Sequence, residues 1–223
     1  MTTRFLRLLL VVRTVIYTYA SRTYPCGVAI DGAGNYIVAE YNFGQLSKIT
    51  PGGVRTVIYS FAVGTHPTFV AIDGAGNYIV TSTFPTQGVD ELSKITAGGV
   101  RTVIYSFAPL TNPAGVAIDG AGNYIVAEYQ LPQILSKITA GGVRTVIYSF
   151  GGGSPEGVAI DGAGNYIVTE AGASKLSMVT PGGVRTVIYS FAVGTNPVGV
   201  AIVPAAGYSV TIWSWCASES QGW

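Results

Sequence analysis

One histidine, two cysteines, two methionines and three tryptophans are all that 223 residues contain of those types. A single histidine, His66, and two cysteines, Cys26 and Cys216, provide neither a Cys/His zinc pattern nor a disulfide scaffold. Charge is also scarce, at 10% of residues against the ~25% usual in globular chains, so an unusual share of each element must be buried. The net charge of +1 gives no field to gather nucleic acid or an anionic membrane. No apolar run approaches the ~20 residues of a membrane helix. Arg4 and Arg7 precede a short apolar stretch at residues 8–12, but Arg13 ends it, so the start of the chain reads as structural rather than as a secretory leader and a cytoplasmic location is expected. Also missing are a Gly-x-Ser-x-Gly elbow and a phosphate-binding glycine loop with lysine.

What is present is repetition. Asp-Gly-Ala-Gly-Asn-Tyr-Ile-Val begins at Asp31, Asp73, Asp119 and Asp161, at intervals of 42, 46 and 42 residues. Arg-Thr-Val-Ile-Tyr begins at Arg13, Arg55, Arg101, Arg144 and Arg185; Leu-Ser-Lys-Ile-Thr begins at Leu46, Leu92 and Leu135, with a variant at Leu176. Self-similarity at this period marks a repeat architecture, and the whole chain, 1–223, reads as one domain. The pieces are short, rich in Val, Ile, Tyr and Thr, and bounded by Gly, Pro and Asn, which is the signature of strands. In the first full unit four strands are expected at residues 28–30 (a), 36–40 (b), 46–50 (c) and 54–61 (d). The Asp31–Asn35 segment forms the a–b turn, and Thr50-Pro51-Gly52-Gly53 forms a c–d turn of the kind that places Pro before Gly in a type II turn.

Side-chain volume grows along each unit, from Gly27, Val28 and Ala29 in strand a to Ile58, Tyr59 and Phe61 in strand d. Blades converging on an axis need this taper, whereas a linear stack does not. The fold expected is therefore all-β, a β-propeller of four-stranded antiparallel blades, with units at about 25–61, 67–107, 113–150 and 155–191. A d-type strand at residues 12–17 complements a- and b-type strands within residues 197–215. Joining them would close the ring as a fifth, composite blade. If the ring does not close, the open edges favour a homo-oligomer.

The run from Pro113 through Ile118-Asp119 and Gly122-Asn123-Tyr124-Ile125-Val126 to Lys137-Ile138-Thr139 resembles NHL-repeat propellers and is similar to streptogramin B lyase-like propellers. The likeness spans residues 25–203 and implies the fold; for function it implies a group containing lyases, other enzymes and binding modules. Lyase-like members use histidine and glutamate, with histidine after the Pro that opens a repeat. Here those positions hold Cys26, Thr68, Ala114, Glu156 and Val198.

The turns a–b and c–d barely change between units, whereas the b–c segments vary from Tyr41-Asn42-Phe43-Gly44 to residues 83–90. In a meander the b–c and d–a connections share one face of the disc, so that face is the expected recognition surface. Strand b ends there in Glu40, Ser82, Glu128 and Glu170. Three carboxylates in equivalent places suggest a divalent cation site, set against solvent-exposed strand ends. Tyr41, Phe43, Phe84 and Tyr129 suggest an aromatic platform, and His66 lies on the same face. Arg55, Arg101, Arg144 and Arg185, with Lys48, Lys94 and Lys137, suggest a basic ring suited to phosphates, set against simple copying of a surface charge by the repeat. Cys26 and Cys216 are expected as free thiols, with a staple between neighbouring blades as the alternative. The function expected is a non-catalytic binding or scaffold propeller with no cofactor, acting on a protein, glycan or polar small molecule. A metal-dependent lyase or hydrolase using Glu40, Glu128 and Glu170 is the alternative. A repeat-amplified or artificially made fragment with no ligand, selected for folding and assembly, is a third reading.

Overall fold

The computed structural model describes residues 14–84, 88–130, 132–203 and 207–212. Four four-stranded antiparallel sheets are arranged as the blades of a β-propeller. Blade 1 is β1 (Pro25–Ile30), β2 (Tyr36–Glu40), β3 (Gln45–Ile49) and β4 (Arg55–Ser60). Blade 2 is β5 (His66–Ile72), β6 (Tyr78–Thr83), β7 (Glu91–Ile95) and β8 (Arg101–Ser106). Blade 3 is β9 (Pro113–Ile118), β10 (Tyr124–Glu128), β11 (Ile134–Ile138) and β12 (Arg144–Ser149), and blade 4 is β13 (Pro155–Ile160), β14 (Tyr166–Glu170), β15 (Lys175–Val179) and β16 (Arg185–Ser190). A two-stranded sheet follows, β17 (Pro197–Val203) paired with β18 (Gly207–Ile212). The inner strands β1, β5, β9, β13 and β17 pack side by side in that order.

The hairpin turns follow from their side chains. Asp31 Oδ1 accepts from the backbone N–H groups of Ala33 and Asn35, while Gly34 takes a φ of 80°. The c–d turn is built alike: Thr50 Oγ1 accepts from the Val54 N–H, and Gly53 has φ 80°. Positive φ thus falls on Gly53, one residue later than the expected type II turn would place it.

Stability resides between blades. Val70, Tyr78, Val80 and Ile95 on the leading face of blade 2 pack against Ile37, Leu46 and Phe61 on the trailing face of blade 1, and the same pattern recurs at the next two junctions. Such burial contributes ~25 cal/mol per Å² of apolar area. Each d strand carries a bulge opposite strand c; in blade 1, Leu46 faces Tyr59 and Ser47 faces Val57, leaving Ile58 out of register. Val57 is exposed, whereas Ile58 and Tyr59 pack against the core.

The inner strands approach so closely that only glycine fits at some positions. A Cβ on Gly115 would stand 2.5 Å from the Glu156 carbonyl oxygen of the next blade, whereas one on Gly120 would meet nothing within 4 Å. Gly115→Ala should therefore destabilise the chain by about 1–3 kcal/mol and Gly120→Ala by less than about 0.5 kcal/mol, read as a shift in urea midpoint. Equal effects would contradict the packing described.

The expected fifth, composite blade is not formed as one sheet among the described residues. Residues 14–20 are not hydrogen-bonded as a strand, yet they occupy the place of an outer strand preceding blade 1. The Ile16 carbonyl lies against Gly53 as that of Ile104 lies against Gly142, and Tyr17 meets Tyr19 edge-on at 4.9 Å, as Tyr59 meets Phe61. Among the described residues β17 and β18 pair only with each other. The leading face of blade 1 is accordingly open: Val28 is 59% exposed, whereas its counterparts Val70, Val116 and Val158 are at most 8% exposed. Residues 12–13, 204–206 and 213–215 of the expected composite blade lie outside the described residues. Cys26 is disulfide-bonded, which corrects the expectation of free thiols; Cys216 lies outside the described residues. Whether a thiol finds a partner is set by proximity in the fold, which a count of two cysteines does not reveal.

Candidate functional site

The b–c and d–a connections do share one face, because every sheet is a simple meander. At the ends of the b strands, however, the carboxylates turn inward. Glu40, Glu128 and Glu170 are at most 2% exposed. Each is gripped by the first arginine of its own blade's outer strand. Arg144 donates from Nε to Glu128 Oε1 at 2.8 Å and from Nη2 to Oε2 at 2.6 Å, and Ser136 donates to Oε1 at 2.6 Å. Arg55 holds Glu40 and Arg185 holds Glu170 with the same fork. Blade 2 makes the exchange in reverse. Ser82 replaces the glutamate, and the acid moves to the directly opposite residue, Glu91, which binds Arg101; Arg101 Nε then donates to Ser93 Oγ at 3.0 Å.

These pairs are sandwiched between blades. The Arg101 guanidinium lies 5.5 Å from the Phe61 ring centroid of the preceding blade, and that of Arg144 lies 6.0 Å from Tyr105. Among the described residues, the carboxylates and arginines singled out by the repeat pattern are thus each engaged within a blade. Among the described residues no group of three or more His, Cys, Asp or Glu is placed to hold a metal ion.

The aromatic candidates are distributed around the face. His66 Nδ1 lies 2.9 Å from the Tyr41 carbonyl, and its ring stacks on Tyr41 at 4.5 Å; this joins the b–c loop of blade 1 to the first residue of β5. Phe43 is exposed. The Phe84 N–H donates to Asp90 Oδ1, while Asp90 Oδ2 accepts from the Asn112 N–H, so this buried aspartate ties the longest b–c loop to the following d–a loop. Burial pushes its carboxyl above the ordinary aspartate range. Tyr129 is half-buried at the start of the b–c loop of blade 3.

The group missed by the sequence reading as a site residue is Glu156. It is the second residue of β13, in the position held by Cys26, Thr68, Ala114 and Val198 in the other units. It is 2% exposed, and its Oε1 has no hydrogen-bond partner. Burial pushes its carboxyl up to about 8. Its charge reaches the Tyr129 hydroxyl, which burial also raises. One signal was available: a carboxylate where the other repeats carry uncharged residues.

No protein-family model matches the chain, and no curated protein matches it. Solved structures do. A streptogramin B lyase superposes with a TM-score of 0.70 at 16% identity, over 82% of this chain and 60% of the lyase. A gluconolactonase from Xanthomonas campestris gives 0.69 at 12% identity, over 86% of this chain and 73% of that one. A calcium-binding regucalcin from Agrobacterium tumefaciens gives 0.66 at 16% identity, over 83% and 66%. The chain therefore spans about three-fifths of the length of the lyase it matches. Meander blades, the ordered succession of inner strands and these superpositions together make the chain a β-propeller of the architecture shared by streptogramin B lyase, gluconolactonase and regucalcin.

Proposed function

We propose that the chain is a binding propeller that recognises a protein, glycan or polar small molecule through the face carrying its b–c and d–a loops. One observation carries this reading: the repeats are kept nearly identical in their turns and ion pairs, and differ on that face. Loops on a rigid scaffold can vary without disturbing the packing beneath them. Glycan and peptide arrays test the proposal. Binding that falls at least tenfold in a Phe43→Ala, Tyr129→Ala double variant and survives Ala33→Lys and Ala121→Lys on the opposite turns is expected. Loss through the turn variants alone, or no binding at all, would overturn it.

The superposition on a lyase and a gluconolactonase favours a second reading, a lyase or hydrolase. Glu40, Glu128 and Glu170 would have to leave their arginines to serve a divalent cation there, so metal-dependent turnover abolished by Glu128→Gln, with the fold intact, is its test.

The N-terminal segment, seated as an outer strand against blade 1, and the β17–β18 pair at the other end support closure as a five-bladed ring of the NHL-repeat kind. A monomer by light scattering across a concentration series agrees with closure; a concentration-dependent homo-oligomer contradicts it.

A further inference from the structure

Three features set the junction of blades 3 and 4 apart from the others. The first is the buried Glu156 carboxyl, whose Oε1 has no partner. The second is Gln133, in the b–c loop of blade 3. Its Nε2 donates to Ser154 Oγ at 3.0 Å, two residues before Glu156, and this leaves its Oε1 buried with no partner as well. Gln133 holds that place with a φ of 57° and a backbone N–H bonded to the Gln130 carbonyl at 2.7 Å. The third is the d–a loop that connects the two blades. Where the other units place Val63, Leu110 and Val193, all exposed, this one has Gly151-Gly152-Gly153 and is one residue shorter. Nothing stands within 4 Å of the positions that side chains at Gly151 and Gly152 would occupy.

A buried acceptor without a donor is destabilising, and one at this junction is matched by a ligand that brings donors. We propose that this junction is a binding site for a small organic cation bearing N–H groups, an alkylammonium or guanidinium, with Glu156 supplying the counter-charge and Gln133 Oε1 a second acceptor. The site deepens the proposed function of the loop face and rests on it. Arrival of a positive charge favours the carboxylate form, so the Glu156 carboxyl gives up its proton to solvent as the cation binds. Tyr129 is the titratable group that faces it among the described residues, and its phenol remains neutral in that step.

n-Propylammonium is the probe, titrated at pH 7 by calorimetry in two buffers of different ionisation enthalpy. Saturable binding with release of close to one proton is expected. Glu156→Gln should weaken binding at least tenfold and abolish the release, and Gln133→Leu should weaken binding severalfold while the release persists. Tetramethylammonium, which lacks N–H donors, should bind at least tenfold more weakly than n-propylammonium. Binding without proton release, undiminished binding by a folded Glu156→Gln variant, or no binding would each overturn the proposal. If array binding by the loop face persists when amine binding fails, the site falls and the broader function stands; if neither is seen, both fall.

Discussion

Glu156→Gln should make the chain more stable at pH 8 by about 4 kcal/mol while leaving stability near pH 4 almost unchanged. The folded carboxyl titrates at about 8, against 4.5 for an ordinary glutamate. Below the lower value both the folded and unfolded chains hold the proton, and its burial as a neutral group contributes fully to stability. Between the two values the unfolded chain has lost the proton and the folded chain keeps it. Folding must then take up a proton, and stability falls as pH rises. Above the higher value both states are ionised and the penalty is complete. Each unit of difference corresponds to about 1.4 kcal/mol. Glutamine has the same shape and no charge, so this segment of the pH dependence should vanish in the variant. Urea unfolding at a series of pH values reads the effect; parallel curves for the two proteins would contradict it.

Arg144→Met should cost about 3–5 kcal/mol, because it leaves Glu128, 1% exposed, buried with only Ser136 as a partner. Glu128→Leu together with Arg144→Met should recover most of that loss, since removing both charges leaves nothing unpaired between the blades. The pair in blade 2 provides the contrast. Arg101 and Glu91 are each about a fifth exposed, so Glu91→Gln should cost no more than about 1 kcal/mol and the pair should weaken with salt. A rise in stability on Arg144→Met would mean that the fork is a burden on the interface rather than a support.

Much of the architecture was legible because the repeat writes the same local rules four times. Val-Ala-Ile before Asp-Gly-Ala-Gly-Asn can only be a strand running into a turn, and the taper from Gly27 to Phe61 placed strand a inside and strand d at the rim, as observed. Bulges were not legible: nothing in Arg-Thr-Val-Ile-Tyr says that Ile58 leaves the ladder, and its carbonyl lies close to Gly99 of the next blade, a tertiary contact that local pattern does not encode.

Glu40 and Arg55 illustrate the same limit at the candidate site. They lie 15 residues apart at the ends of different strands, and their alignment on one face of a twisted blade is a tertiary fact. The compensation in blade 2 was nevertheless written in the sequence, as Ser82 for glutamate and Glu91 for Gln45. Glu156 was visible as an odd residue and not as a buried one, because burial there depends on strands from two neighbouring blades.

Carboxyl-detected NMR titration of the folded chain, with Glu156 assigned by comparison with Glu156→Gln, measures the central feature directly. A resonance titrating near pH 8 that disappears in the variant is the predicted result. A Glu156 carboxyl titrating near 4.5 would show it to be solvated or paired, and would contradict both the buried site between blades 3 and 4 and the pH dependence derived from it.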